Sequence, residues 1–338
     1  MKLIIKKENI LDYSFNNEII VTVYKKLIKV ENLEFDFIHE KHISNTVISI
    51  CNFYDNILFQ LSDEENIYII NKKDIELKLS NHILIGKIID SDFIYIEDSY
   101  DLISKFNKEL EKLCSYSIKG RNPTFIYSKY YFRFPNNSIF CYEINNNIQI
   151  WQQSFKDLLQ SEEVLLRYYY AYQEKLILHL RTNGLPQNKY VTVVLDVNTG
   201  KELYRTEETL GKKLINGLGY TLYDQILWIS NPETYEVKRI DLSEILSPLN
   251  KIIDDKIGDV DLGKTEVKFR FSLDYFTVEY PYLYFSEQRG LQLGALNIET
   301  KELIFHTEIE EKGLVKDLKS SNGKIFVHTT ENNLYVFG

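Results

Sequence analysis

The feature that most constrains this chain is a phrase that repeats: a short polar or aromatic turn followed at once by an apolar strand. It reads Tyr54-Asp-Asn-Ile-Leu-Phe59, Asp90-Ser-Asp-Phe-Ile-Tyr95, Tyr172-Gln-Glu-Lys-Leu-Ile-Leu178, Tyr223-Asp-Gln-Ile-Leu-Trp228, Tyr280-Pro-Tyr-Leu-Tyr284 and Ser321-Asn-Gly-Lys-Ile-Phe-Val327. Looser copies stand at Asn16-Asn-Glu-Ile-Ile-Val21 and Ser128-Lys-Tyr-Tyr-Phe132. The first strand residues after these turns are Ile19, Ile57, Phe93, Tyr130, Leu176, Ile226, Leu283 and Ile325, separated by 38, 36, 37, 46, 50, 57 and 42 residues. A period of about 40 to 50 residues is that of a four-stranded β-propeller blade. Strands rich in Ile, Tyr, Phe and Val recur throughout, and helical periodicity is sustained almost nowhere.

A second phrase follows the first and aligns without gaps in three places: Tyr142-Glu-Ile-Asn-Asn-Asn-Ile-Gln-Ile-Trp151, Leu195-Asp-Val-Asn-Thr-Gly-Lys-Glu-Leu-Tyr204 and Leu296-Asn-Ile-Glu-Thr-Lys-Glu-Leu-Ile-Phe305. Each is a hairpin, with a turn of residues that tolerate unusual backbone angles and a return strand closing on an aromatic. This hairpin resembles the repeat of the pyrroloquinoline-quinone-like propeller superfamily, whose blades run from a strand through Asp, an apolar residue and Thr-Gly to a short strand ending in Trp. Residues 195–205 match best. The resemblance implies fold alone. Trp151 and Trp228 each lack a following Asp, so the Trp-Asp dipeptide of WD-repeat propellers is absent.

The expected architecture is therefore all-β: one propeller domain spanning 1–338, with eight blades by repeat count, or seven if the N-terminal strands are irregular. The last repeat stops one strand short, and Leu3 to Lys6 can supply the missing strand from the other end of the chain. Two short amphipathic helices are expected between blades, at 154–166 and 241–255. The second accounts for the longest spacing.

Composition narrows the uses of such a scaffold. Forty Lys and Arg against 49 Asp and Glu give a formal charge of −9, which repels phosphate backbones and anionic lipids. Nucleic acid and membrane are accordingly not expected as partners. Only three apolar residues follow Met1-Lys2 before charges resume, so no export signal is expected and the cytoplasm is the expected compartment. Cys51, Cys114 and Cys141 are widely spaced in apolar segments and read as small buried hydrophobes in a reducing compartment.

Motifs for chemistry are missing. Asp36-Phe-Ile-His-Glu-Lys-His42 puts two imidazoles near one another but is not a His-Glu-x-x-His helix, and it reads as a polar inter-blade loop. Asp254-Asp-Lys-Ile-Gly-Asp-Val-Asp261 fails the register of a calcium loop and reads as a solvated insertion. The chain has no Gly-x-Ser-x-Gly elbow and no phosphate-cradling loop, and Gly217-Leu-Gly219 lacks a third glycine. No catalytic residue, metal or cofactor is assigned.

Aromatic content stands out instead, with 25 Tyr and 19 Phe. Tyr54, Tyr172, Tyr223 and Tyr280 recur in the turn phrase and are the candidate binding residues, since Tyr offers contact area and a hydrogen-bonding tip at low entropic cost. The function expected is non-catalytic protein binding, in particular that of a bacterial immunity-type protein neutralising a basic toxin. Alternatives are a small-ligand or glycan-binding propeller or hydrolase with its site at the channel mouth, and a scaffold or sensor within a larger assembly.

Overall fold

A computed structural model describes the chain except for residues 54–55, 63–65, 81–82, 85–93, 100–101, 108, 119–123, 162, 183–187, 211–218, 224, 232–235, 244–274, 288–290 and 310–312. β1 (Leu3–Lys7) opens the chain and is followed by four sheets. These are β2 (Asp12–Phe15), β3 (Ile19–Tyr24), β4 (Leu27–Asn32) and β5 (Phe37–His42); β6 (Val47–Phe53), β7 (Asn56–Leu61), β8 (Asn66–Ile70) and β9 (Ile75–Ser80); β10 (Ile83–Leu84), β11 (Ile94–Ser99), β12 (Leu102–Phe106) and β13 (Lys112–Ser117); and β14 (Phe125–Tyr127), β15 (Tyr130–Arg133), β16 (Ser138–Glu143) and β17 (Ile148–Ser154). After helix α1 (Phe155–Leu159) come β18 (Val164–Tyr172), β19 (Lys175–Thr182), β20 (Asn188–Asp196) and β21 (Glu202–Leu210); β22 (Gly219–Tyr223), β23 (Ile226–Asn231) and β24 (Glu236–Asp241); β25 (Phe276–Glu279), β26 (Tyr282–Glu287), β27 (Gln292–Asn297) and β28 (Leu303–Glu308); and β29 (Val315–Ser321), β30 (Lys324–Thr329) and β31 (Leu334–Phe337).

Among the described residues seven sheets have four strands and the β22 sheet has three. Strands pair antiparallel in chain order, and β1 adds to β31 from the other end of the chain, Lys7 opposite Leu334 and Leu3 opposite Phe337. The eight turn phrases fall at the start of the second strand of each sheet, within one residue of the positions read from sequence; Phe93 itself lies outside the described residues.

The chain forms two compact units. One is Asn9–Glu162 with Val197–Lys201; the other is Met1–Glu8, Glu163–Asp196 and Glu202–Gly338. In both, neighbouring sheets pack face to face, and the alternation of side chains along a strand decides which neighbour each residue meets. In β7, Ile57, Phe59 and Leu61 join Val21, Val23, Ile28 and Val30 of the β2 sheet, whereas Leu58 points the other way with Ile67, Ile69 and Phe106. In β26, Leu283 and Phe285 pack with Trp228, and Tyr284 packs with Val315, Leu318 and Val327. Second strands buried on both faces read as continuous apolar runs, and each fully buried large side chain stabilises the fold by roughly 1.5–3 kcal/mol.

The three gap-free hairpins share their backbone. Asn147, Gly200 and Lys301 occupy one aligned turn position, with φ of 57°, 69° and 60°. Past the turn, the outer strand carries one extra residue, a β-bulge. Among the described residues this bulge recurs in every four-stranded sheet, at Ile38, Lys78, Leu113, Ile150, Leu203, Ile304 and Ile4. It breaks strict alternation, so that Ile150, Leu203 and Ile304 are each followed directly by the closing aromatic of the phrase.

Helix α1 is shorter than the 154–166 expected. Ser154 caps its start by accepting from the Asp157 N–H, and Gln160, at φ 52°, ends it. The β-forming run Val164–Tyr172 then takes over as a strand. The second helix, at 241–255, falls almost wholly outside the described residues.

Two predictions follow from the packing. The Trp151 indole donates to the Val197 carbonyl (2.7 Å), and a Cβ at Gly200 would stand 2.6 Å from its ring. Gly200→Ala therefore meets both a left-handed backbone and a clash, and is expected to cost roughly 2–4 kcal/mol. Lys301→Gly at the equivalent position relieves backbone strain and is expected to stabilise by up to about 1 kcal/mol. Thermal unfolding of both variants checks the pair, and an undiminished Tm for Gly200→Ala would refute it.

His179, fully buried in β19, holds Thr192 Oγ1 at 2.9 Å through Nδ1 and stacks on Tyr168. Burial holds its pKa well below the usual histidine value, so the folded chain keeps it neutral. The unfolded chain takes up that proton near pH 6.5, so the stability tied to the neutral ring is present above about pH 6.5 and is lost as pH falls below it. Urea midpoints measured between about pH 7.5 and 5.5 should fall more steeply for the wild type than for His179→Phe. Parallel slopes would count against the assignment.

Candidate binding edge

In an antiparallel meander the first and third turns lie at one end of the sheet. The described candidate tyrosines, Tyr172, Tyr223 and Tyr280, stand at first turns, between the first and second strands, and the structure divides them into two classes. Tyr172 and Tyr223 are the last residues of β18 and β22, opposite Lys175 and Ile226. Tyr280 sits in the turn itself, whose flanking pair is Glu279 and Tyr282. Tyr54 lies outside the described residues.

Their surroundings differ accordingly. Tyr172 is half-buried against Ile177 and Val194, and its hydroxyl accepts from the Gln173 amide at 3.2 Å. Tyr223 is 37% exposed and Tyr280 54% exposed. The Tyr280 hydroxyl donates to Glu299 of the third turn of the same sheet, and this hydrogen bond is the main cause of its raised pKa, with the Arg239 charge acting in the opposite direction.

Sequence reasoning did not find the charged groups that accompany these rings. Lys175 opens β19 in a fully buried position; burial lowers its pKa, countered by the charges of Asp241 and Glu174. The guanidinium of Arg239 lies 5.4 Å over the Trp228 ring, its cross-strand partner. Glu279 accepts from the Gly323 N–H at 3.0 Å through Oε1. Lys175 with Asp241, Arg239 with Tyr280, and Glu279 with Gly323 thus link consecutive sheets of the second unit along the turn-bearing end. A signal for Lys175 was present in Lys175-Leu-Ile-Leu-His-Leu-Arg181, where basic residues alternate with apolar ones and so share a strand face with Ile177.

On this edge Lys175 is held inward by burial and Arg239 lies over its indole, while Tyr223, Tyr280, Glu174 and Glu299 face outward, with Lys301 exposed beside Glu299 in the third turn. Phenols donate and carboxylates accept. Both also attract cations.

Other sites singled out in the sequence fall elsewhere. His39 and His42 lie on strand β5, not in a loop, with the His39 Nε2 3.1 Å from the Asn71 carbonyl oxygen and His42 exposed. The segment pairs with β4, Phe37 opposite Glu31, His39 opposite Val30 and His42 opposite Leu27. Cys141 is buried and Cys51 half-buried, and burial pushes the Cys51 thiol up to about 12. Cys114 departs from the expectation: it is exposed on the outer strand β13, where its thiol donates to the Tyr116 hydroxyl at 2.9 Å. The acidic segment Asp254–Asp261 lies outside the described residues, as does Gly217.

Comparison with solved structures identifies the fold. BamB from Moraxella catarrhalis matches with a TM-score of 0.52 at 9% identity, over 99% of this chain and 98% of that one. Sqt1 of Saccharomyces cerevisiae matches with 0.54 at 12% identity, over 98% and 97%. Hsv2 of Kluyveromyces lactis, with its loop 6CD replaced by a Gly-Ser linker, matches with 0.50 at 10% identity, over 90% and 98%. No protein-family model matches the chain, and no curated protein matches it in sequence. BamB is a pyrroloquinoline-quinone-like propeller and the other two are WD40 propellers, and this chain shares with them the β-propeller fold, built mostly of four-stranded antiparallel sheets.

Proposed function

We propose that the chain is a non-catalytic, protein-binding β-propeller: a single domain over 1–338 of eight blades, in which β1 completes the C-terminal blade. The reading rests chiefly on the turn-bearing edge of the second unit, where Tyr223, Tyr280, Glu174 and Glu299 face outward while Lys175 is buried and Arg239 lies over the Trp228 ring. Such an edge complements a basic protein surface, since tyrosine rings and carboxylates both take up Lys and Arg side chains. The chain's charge of −9 favours encounter with a cationic partner. The narrower form of the proposal is an immunity-type role in the bacterial cytoplasm, with a basic toxin as the partner bound and neutralised.

The experiment is calorimetric titration of the chain with a small basic protein encoded directly beside it. A complex is expected whose affinity falls steeply between low and physiological salt. Tyr280→Ala and Glu299→Ala are each expected to weaken it about tenfold or more while leaving Tm close to the wild type. Failure of the neighbouring product to bind would remove the immunity role. Unchanged affinity in both variants would remove this edge as the site.

A further inference from the structure

Asn322-Gly323 is the two-residue turn of the β29–β30 hairpin, whose flanking pair is Ser321 and Lys324. Both turn residues are exposed, and a Cβ placed at Gly323 would meet nothing within 4 Å. Their φ angles are 52° and 71°, and positive values at both central positions define a type I′ turn. The hairpin bonds of such a turn leave the N–H of its second central residue unused. Here another sheet takes it up: Gly323 donates to Oε1 of Glu279, the last residue of β25, at 3.0 Å. Among the described residues this is the only donor to the Glu279 carboxylate, whose Oε2 is buried without a hydrogen-bond partner.

An asparagine followed by glycine carries a reaction of its own. The Gly323 nitrogen, losing its proton to a solvent base, attacks Cγ of Asn322. The new C–N bond closes a five-membered succinimide as the Cγ–Nδ2 bond breaks and ammonia leaves. Water then opens the ring at either carbonyl, giving an aspartyl or an isoaspartyl residue. Glycine suits this step because no side chain shields its nitrogen. Conformation opposes it. Ring closure needs the Gly323 nitrogen eclipsed with the Asn322 Cβ, the arrangement of a type II′ turn, with ψ of about −120° at the first central residue, whereas type I′ holds that ψ at about +30°. The φ of that residue is alike in both types, so the turn reacts only by flipping the 322–323 peptide plane.

We infer that Asn322-Gly323 is a self-modification site of this chain, and that Glu279 is the positioning residue that holds it unreacted. The flip exchanges the directions of the peptide N–H and C=O. It takes from a partly buried carboxylate its only donor and turns the Asn322 carbonyl oxygen towards it, and both changes disfavour the reactive turn. Type I′ and type II′ are both favoured hairpin turns, so the contact from β25 decides between them. Once formed, the product sets a new carboxylate one residue from the Glu279 contact, and the isoaspartyl form lengthens the turn by a methylene. Reaction therefore loosens the tie between the β25 and β29 sheets.

Peptide mapping tests this, applied to the full chain kept folded at mildly alkaline pH and sampled over days, with the asparaginyl, aspartyl and isoaspartyl forms of the 322–323 peptide separated. The wild type should convert at least about tenfold more slowly when folded than in urea. Glu279→Ala should speed the folded reaction about tenfold or more. Glu279→Gln, whose amide oxygen still accepts the N–H, should fall between the two, and all three chains should react alike in urea. Leu318→Ala, which removes core packing from β29 without touching the turn, should lower Tm and leave the rate near that of the wild type. A folded wild type as reactive as the unfolded chain, an unchanged or slower reaction in Glu279→Ala, or equal acceleration by Leu318→Ala would overturn the inference.

Discussion

The structure depends on second strands that are buried on both faces. β7 sends Ile57 and Phe59 to one neighbouring sheet and Leu58 to the other, and β26 divides Leu283 and Tyr284 in the same way. A sheet so placed cannot be stable alone, because the apolar side chains of both its faces would meet water. Each sheet therefore needs a neighbour, and the repeat is as much a rule about packing as about sequence. The pairing of β1 with β31 has the same logic at the end of the chain, where it gives β31 a strand on its outer side.

Burial of the sheet faces leaves turn ends and outer edges as the surfaces available to partners. These differ in chemistry for a physical reason. At the turn ends the backbone is already satisfied by tight turns, so side chains such as Tyr280 and Glu299 can be displayed without exposing unpaired peptide groups. On the outer strands the backbone itself is exposed, and bulges together with charges guard it. β17 lacks the charges, and for that reason it stands apart from the other outer strands.

Much of the repeat was legible because its signals are local. The turn phrase locates the second strand of each sheet to within a residue, since polar turn residues and the onset of an apolar strand are set by backbone geometry over four or five positions. The hairpin alignment likewise reflects one left-handed position shared by Asn147, Gly200 and Lys301. Less legible was the class of each tyrosine: Tyr172 and Tyr280 look equivalent in the phrase, yet one ends a strand and the other sits in the turn. Cys114 looked like a buried hydrophobe and is exposed, because an outer strand has a solvent face that apolar neighbours in sequence do not reveal. The bulges were written in sequence as paired residues such as Ile150-Trp151 and Ile304-Phe305, which a strict alternation of period two passes over.

By itself, then, the sequence determined the all-β class, the blade-length period, the acidic balance and the positions of the turns, all of which depend on composition or on residues a few positions apart. Tertiary structure alone decided which charges meet the tyrosines: Arg239 and Glu299 lie 41 and 19 residues from Tyr280 and come to it only because sheets stack and third turns fold back beside first turns. It also decided that Lys175 is buried, since burial is a property of neighbours that no single segment contains.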